Sequence, residues 1–111
     1  MKVSDLVKKY ELKVFAGGAS LNNEISGGYV SDLLSDVMGN AGEGEIWITL
    51  QTHQNVVAIA SLKDLAAVIL VKNLEPEEDT LKHAENEGIP LLGTSMNTFE
   101  IAGKIYQDLS T

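Results

Sequence analysis

Leu65 to Val71 is the longest unbroken apolar run in the chain, and within it Ala67 to Val71 (AVILV) has the length of a strand. A strand that is apolar at every position, not at alternate ones, must be covered on both faces, which points to a parallel sheet between layers of helix. The neighbouring segments supply the other elements. Glu45 to Leu50 (EIWITL) is a strand of strong β-formers. Asn55 to Asp64 is a helix with Val56, Val57, Ile59 and Ala60 apolar on more than one side, although Val56 to Ile59 also fits a strand. Pro76 to Glu87 is a helix with Pro76 in its first turn, Glu77, Glu78 and Asp79 at its positive end, and Gly88 as its stop. Ile89 to Leu92 is a strand, with Pro90 at its start or on an edge. Asn97 and Glu100 form a capping box that opens a final helix, whose apolar face is Phe99, Ala102, Ile105, Tyr106 and Leu109. Strand and helix alternating with short links imply right-handed crossovers.

The first forty residues are less regular. Ser4 to Tyr10 forms a short helix capped by Ser4, and Leu12 to Ala16 a strand broken by Gly17-Gly18. Glu24 to Val30 is extended but carries Gly27-Gly28, a pair that marks a bulge or a close approach of another backbone or ligand. Asp32 to Met38 is a helix stopped by Gly39-Asn40. The expected fold is therefore a single α/β domain over residues 1–111, with a small, largely parallel or mixed sheet of about five strands flanked by helices.

Composition removes whole classes of function. Sixteen acids against eight bases leave a net charge of −8, and all eight bases are lysine. Without a basic patch, neither nucleic acid nor an anionic membrane is an expected partner. Without arginine there is no bidentate clamp for phosphate or carboxylate. The absence of cysteine excludes thiolate catalysis, disulfides and Cys-type metal sites. No run approaches the roughly 18 apolar residues of a membrane span, and the charged start does not resemble a signal peptide, so a cytoplasmic location is expected.

Chemistry-bearing motifs are few. There is no Walker A loop and no G-x-G-x-x-G dinucleotide fingerprint, and His53 and His83 belong to no H-x-x-x-H pair, so no metal site, cofactor or catalytic constellation is expected. His83 is expected on a solvated helix face, and the acids from Glu75 to Asp79 favour a helix N-terminus. The strand ends are more informative, because ligands of open parallel sheets bind beyond the carboxyl ends of the strands. Those ends carry Thr52 and His53, then Asn73, then Thr94 and Ser95. They either cap helices or gather into a rim for a small anion or nucleotide, with Ser26, Gly27 and Gly28 as an approaching backbone loop. An enzyme using His53 as general base is the least favoured alternative, since no nucleophile or second acid–base group accompanies it.

Glu24-Ile25-Ser26-Gly27-Gly28 with the following Tyr29 to Met38, Trp47 to His53 (WITLQTH), and Glu87 to Thr94 (EGIPLLGT) resemble the DRTGG domain family over nearly the whole chain. Of the naming motif, Gly27 and Gly28 match, whereas Glu24, Ile25 and Ser26 replace Asp, Arg and Thr. The resemblance implies an α/β fold similar to the N-terminal domain of HPr kinase/phosphorylase, and a regulatory role without the kinase chemistry of a P-loop domain. It also implies a partner enzyme of a hydrogenase system or of acetyl-phosphate metabolism. The expected function is a non-catalytic regulatory or ligand-binding module, with a pure protein–protein adaptor as the alternative. A homodimer is expected from the apolar Tyr29 to Leu34 segment beside the glycine pair.

Overall fold

The computed structural model describes residues 1–110. The chain runs α1 (Val3–Tyr10), β1 (Lys13–Ala16), a 3₁₀ turn (Gly18–Ser20), β2 (Gly27–Val30), α2 (Leu34–Asn40), β3 (Glu45–Thr49), α3 (Asn55–Leu62), β4 (Ala67–Leu70), α4 (Glu78–Glu87), β5 (Leu91–Gly93) and α5 (Thr98–Leu109). The five strands form one mixed sheet in the order β1-β5-β4-β3-β2. Strands β2 to β5 are parallel, and β1 lies antiparallel on β5. The expected five-stranded α/β fold is the one observed.

Successive crossovers from β2 to β5 always step in the same direction, so their common handedness puts α2, α3 and α4 on one face. That face is packed by Trp47, Val68 and Leu70 from the strands against Val37, Val56, Ala60 and Ala84 from the helices. The opposite face belongs to α1 and α5, where Val3, Leu6, Ile101 and Ile105 meet Ile46, Ile48, Ala67 and Ile69. Alternate side chains of β4 thus enter different cores, and all of Ala67 to Val71 is fully buried. The unbroken apolar run follows directly from this two-sided cover.

Element boundaries depart from the sequence reading where polar side chains are engaged elsewhere. Helix α1 starts at Val3, because the Lys2 N–H donates to the Asp5 carboxylate (2.8 Å) and Ser4 is not the cap. Helix α2 begins two residues late: the Asp32 carboxylate accepts from Leu50 N–H (2.7 Å) and the Thr49 hydroxyl (2.9 Å), tying Asp32 to the end of β3. Helix α4 begins at Glu78, after Pro76, because Glu77 stays extended and its N–H donates to the Thr52 carbonyl (3.3 Å). Pro90 precedes β5, and Asn97 caps α5 by accepting from Glu100 N–H (2.9 Å).

Two expectations are corrected. The Gly27-Gly28 pair makes no bulge: it runs in continuous parallel register, opposite Glu45 and Ile46, with neither residue at positive φ. The irregularity lies instead in β1, between Val14 and Ala16. On α5, Phe99 and Tyr106 do not join the core: they are 90% and 75% exposed, while Ile101 and Ile105 turn inward.

One glycine is dictated by close approach. Gly17 has φ +74°, and a Cβ there would stand 2.1 Å from the Ile89 carbonyl oxygen. Strain at positive φ and the clash act together, so Gly17→Ala is expected to lower unfolding free energy in urea by at least about 2 kcal/mol. Gly18→Ala, with open space and no positive φ, is expected to stay within about 0.5 kcal/mol of wild type.

Candidate functional site

At the carboxyl end of the parallel strands the chain turns two tight corners side by side. Beyond β4, Lys72 and Asn73 are both left-handed, each at φ 59°. Successive non-glycine residues in that region are strained and need support from their surroundings. Here the Lys72 N–H donates to the Met96 carbonyl and the Asn73 N–H to the Thr94 carbonyl, both at 2.9 Å. Thr94 in turn donates its N–H to Leu70, and its hydroxyl accepts from Met96 N–H (3.2 Å). The corner after β4 is thus clamped to the corner after β5.

Because β1 is antiparallel, its first residues arrive at this same end. Tyr10, Lys13 and Phe15 join Asn73, Thr94 and Ser95 around an open cavity of about 510 Å³, which Glu11 and Glu75 also border. Lys13 is the cation lining it among the described residues, 3.7 Å from the Glu75 carboxylate and 5.1 Å from the centre of the Phe15 ring. Phe15 lies across Gly93, where a Cβ would be 2.5 Å from the ring. The walls therefore offer hydroxyls, an amide, two aromatic rings, two carboxylates and a single positive charge.

Asn73, Thr94 and Ser95 are brought together as the spacing proposed, but the other sequence-derived residues are not. The Thr52 carbonyl accepts from the Thr80 hydroxyl (2.8 Å) and serves to anchor α4. His53 is exposed, and its Nδ1 accepts from Asn55 N–H (3.2 Å) at the start of α3. Ser26, Gly27 and Gly28 lie at the opposite, amino end of the sheet, because β2 starts at Gly27 beside the first residue of β3. There the Ser26 hydroxyl donates to the Glu43 carbonyl (2.7 Å). Tyr10, Lys13 and Phe15 were missed: nothing in LKVFA states that the strand is antiparallel. His83 is half-buried rather than fully solvated, with Nε2 3.8 Å from Glu87 and Nδ1 lacking a hydrogen-bond partner.

A second cavity, about 540 Å³ and mostly apolar, runs between the edge strand β2 and α5. Among the described residues no cluster of His, Asp and Glu is arranged to hold a metal ion. No helix among them is long and apolar enough to cross a membrane.

The model of the DRTGG domain matches residues 5–107. The chain belongs to the DRTGG domain family. Comparison with curated proteins gives no match. Among solved structures this DRTGG domain is similar to the CBS and DRTGG domains of the regulatory region of Clostridium perfringens pyrophosphatase, crystallised with the activator diadenosine tetraphosphate. The TM-score is 0.75 at 13% identity, over 97% of this chain and 47% of that one. The chain thus spans about half the length of that neighbour, and the likeness is one of fold.

The wall of the polar cavity is held by a tie between α1 and α5. The Asp108 carboxylate accepts from the Tyr10 hydroxyl and pairs with the Lys9 ammonium. Those partners, Lys9 first and then Tyr10, hold the Asp108 carboxyl below the usual carboxylate range, while burial and then Asp108 push the Tyr10 phenol up. A carboxyl whose pKa is depressed on folding contributes stability above its unfolded value near 4 and loses it as pH falls through the folded value. Comparing Asp108→Asn with wild type by urea unfolding, the deficit should be full above about pH 5 and shrink below about pH 4. Tyr10→Phe should cost about 1 kcal/mol at neutral pH.

Proposed function

We propose that this DRTGG domain is a non-catalytic regulatory module that binds a small polar metabolite in the cavity at the carboxyl ends of β4 and β5. The observation that carries the reading is the clamped pair of corners, Lys72-Asn73 and Thr94-Ser95, with left-handed backbone at Lys72 and Asn73 tied by hydrogen bonds beside a polar cavity. Strain of that kind gathers at ligand clamps, and strand carboxyl ends are where open α/β sheets bind ligands. The regulatory part of the reading is supported by family membership and by the neighbour, a regulatory region solved with a nucleotide activator.

The wall chemistry narrows the ligand class. Asn73, Thr94 and Ser95 suit hydrogen bonds to a sugar or base, the Phe15 ring suits a planar group, and Lys13 suits one anionic end. Glu11 and Glu75 on the same border disfavour a highly charged polyphosphate. A mononucleotide or similar weakly anionic metabolite therefore fits better than a dinucleoside polyphosphate. Catalysis has no support from His53, which is exposed and stands outside the cavity. The response is delivered to a partner enzyme of metabolic or redox type, as the family resemblance implies.

Thermal-shift and calorimetric titration of the chain with AMP, acyl phosphates, redox nucleotides and diadenosine tetraphosphate test the reading. Ligand at about 100 times its Kd adds about 2.7 kcal/mol to folding stability, a rise of several degrees in melting midpoint. Asn73→Ala and Lys13→Met should each remove most of that rise. If no compound raises the midpoint, or if the rise survives both substitutions, the cavity is not the ligand site. A chain that instead captures one enzyme stoichiometrically without any metabolite is an adaptor.

A further inference from the structure

The apolar groove between β2 and α5 contains both halves of a fit. Gly28 and Val30 pair with Ile46 and Ile48 and share their face of the sheet, the face that α5 packs on. Helix α5 stops short of covering them: Gly28 is exposed and Val30 is 50% exposed, so the groove floor is bare. The groove wall carries the opposite feature, the protruding rings of Phe99 and Tyr106. Helical spacing places Phe99, Ala102, Gly103 and Tyr106 on one stripe, and a Cβ at Gly103 would meet nothing within 4 Å. A protruding ring and an empty floor, side by side on one chain, are what a two-fold interface needs.

Charge selects the same occupant. With a net charge of −8, two copies can meet only where carboxylates are sparse. Glu45 is the one carboxylate lining the groove among the described residues, and it is engaged by the Gly42 N–H (2.6 Å); no lysine lines it. Such a surface offers nothing to steer a charged partner, yet lets two acidic copies approach face to face. The area is also suitable. Aromatic side chains bury roughly 150–250 Å² each, so the two rings with Val30 form an apolar centre of a size that fits the roughly 800 Å² per partner of a standard interface.

We propose that this groove is the self-association surface of the domain, occupied by α5 of a second copy. The two α5 helices run antiparallel and cross at the small pair Ala102-Gly103. Phe99 of each copy then lies against Tyr106 of the other and over its Gly28 floor. This surface lies apart from the carboxyl-end cavity, so failure of the dimer and failure of ligand binding are separate outcomes.

Sedimentation of the full chain from about 1 to 100 μM, the range in which a Kd of micromolar order is read, gives the test. A species of twice the 11.9 kDa chain mass is expected. Phe99→Asp removes the knob and Gly28→Gln fills the hole; a Cβ at Gly28 meets only ordinary contact, so the fold is retained. Each should weaken association at least about 30-fold, as loss of an interface anchor does. Leu62→Asp, at an exposed position of α3 on the other face of the sheet, should leave association unchanged. Added salt should tighten the dimer by screening like charges. A monomer throughout the range, a dimer untouched by both Phe99→Asp and Gly28→Gln, or one broken by Leu62→Asp instead, would overturn the proposal.

Discussion

Burial of β3 and β4 on both faces is the constraint on which the molecule depends. Ile46, Trp47, Ala67, Val68, Ile69 and Leu70 are wholly enclosed, and no single layer of helices could enclose them. Three helices reach one face because the successive parallel crossovers all step in one direction. The other face has to be covered by the two ends of the chain, α1 and α5, which arrive from opposite termini and are tied through Asp108. The fold is therefore closed by contacts between residues about a hundred positions apart. A change at that tie reaches both the second core and the wall of the polar cavity.

Cover is complete at the centre of the sheet and incomplete at its edge, and the surface features follow from that gradient. At the β1 edge, an antiparallel strand brings Lys13 and Phe15 to the carboxyl ends of β4 and β5, where a polar cavity opens. At the β2 edge, two side chains point toward α5 and one of them is only a hydrogen, so the helix leaves an apolar groove. Tyr29, on the other face of the same strand, is covered by α2 and donates its hydroxyl to Asp36 (2.9 Å). The Ser31 hydroxyl first, then Tyr29 and Asn40, hold that carboxyl below its usual range. One short strand thus presents a closed face and an open one.

Much of this was legible in the sequence. AVILV stated that a strand was covered twice, and the Asn97 cap, the Gly88 stop and Pro90 placed their boundaries well. The family resemblance also held over residues 5–107. Boundaries were misjudged at Asp32 and Glu77, where groups suited to start a helix were taken by the end of β3 and by the Thr52 carbonyl. The reading of α5 held for Ala102, Ile105 and Leu109 and failed only for the rings of Phe99 and Tyr106, for a related reason. A 3.6-residue period shows that Phe99, Ala102, Ile105 and Tyr106 belong to an apolar side, but not how much of that side the parent chain covers.

The sequence by itself determined the class of fold, the order of its elements and the absence of cysteine, arginine and phosphate-loop chemistry. These depend on residue type and on spacing within one element, which are local properties. Tertiary structure alone decided that Asn73, Thr94 and Ser95 stand together while His53 stands outside, and that the glycine pair sits at the other end of the sheet. It also decided which rings of α5 face solvent. Strand direction and sheet order set those outcomes, and both arise from which surfaces the whole chain must cover, a balance that no short segment contains.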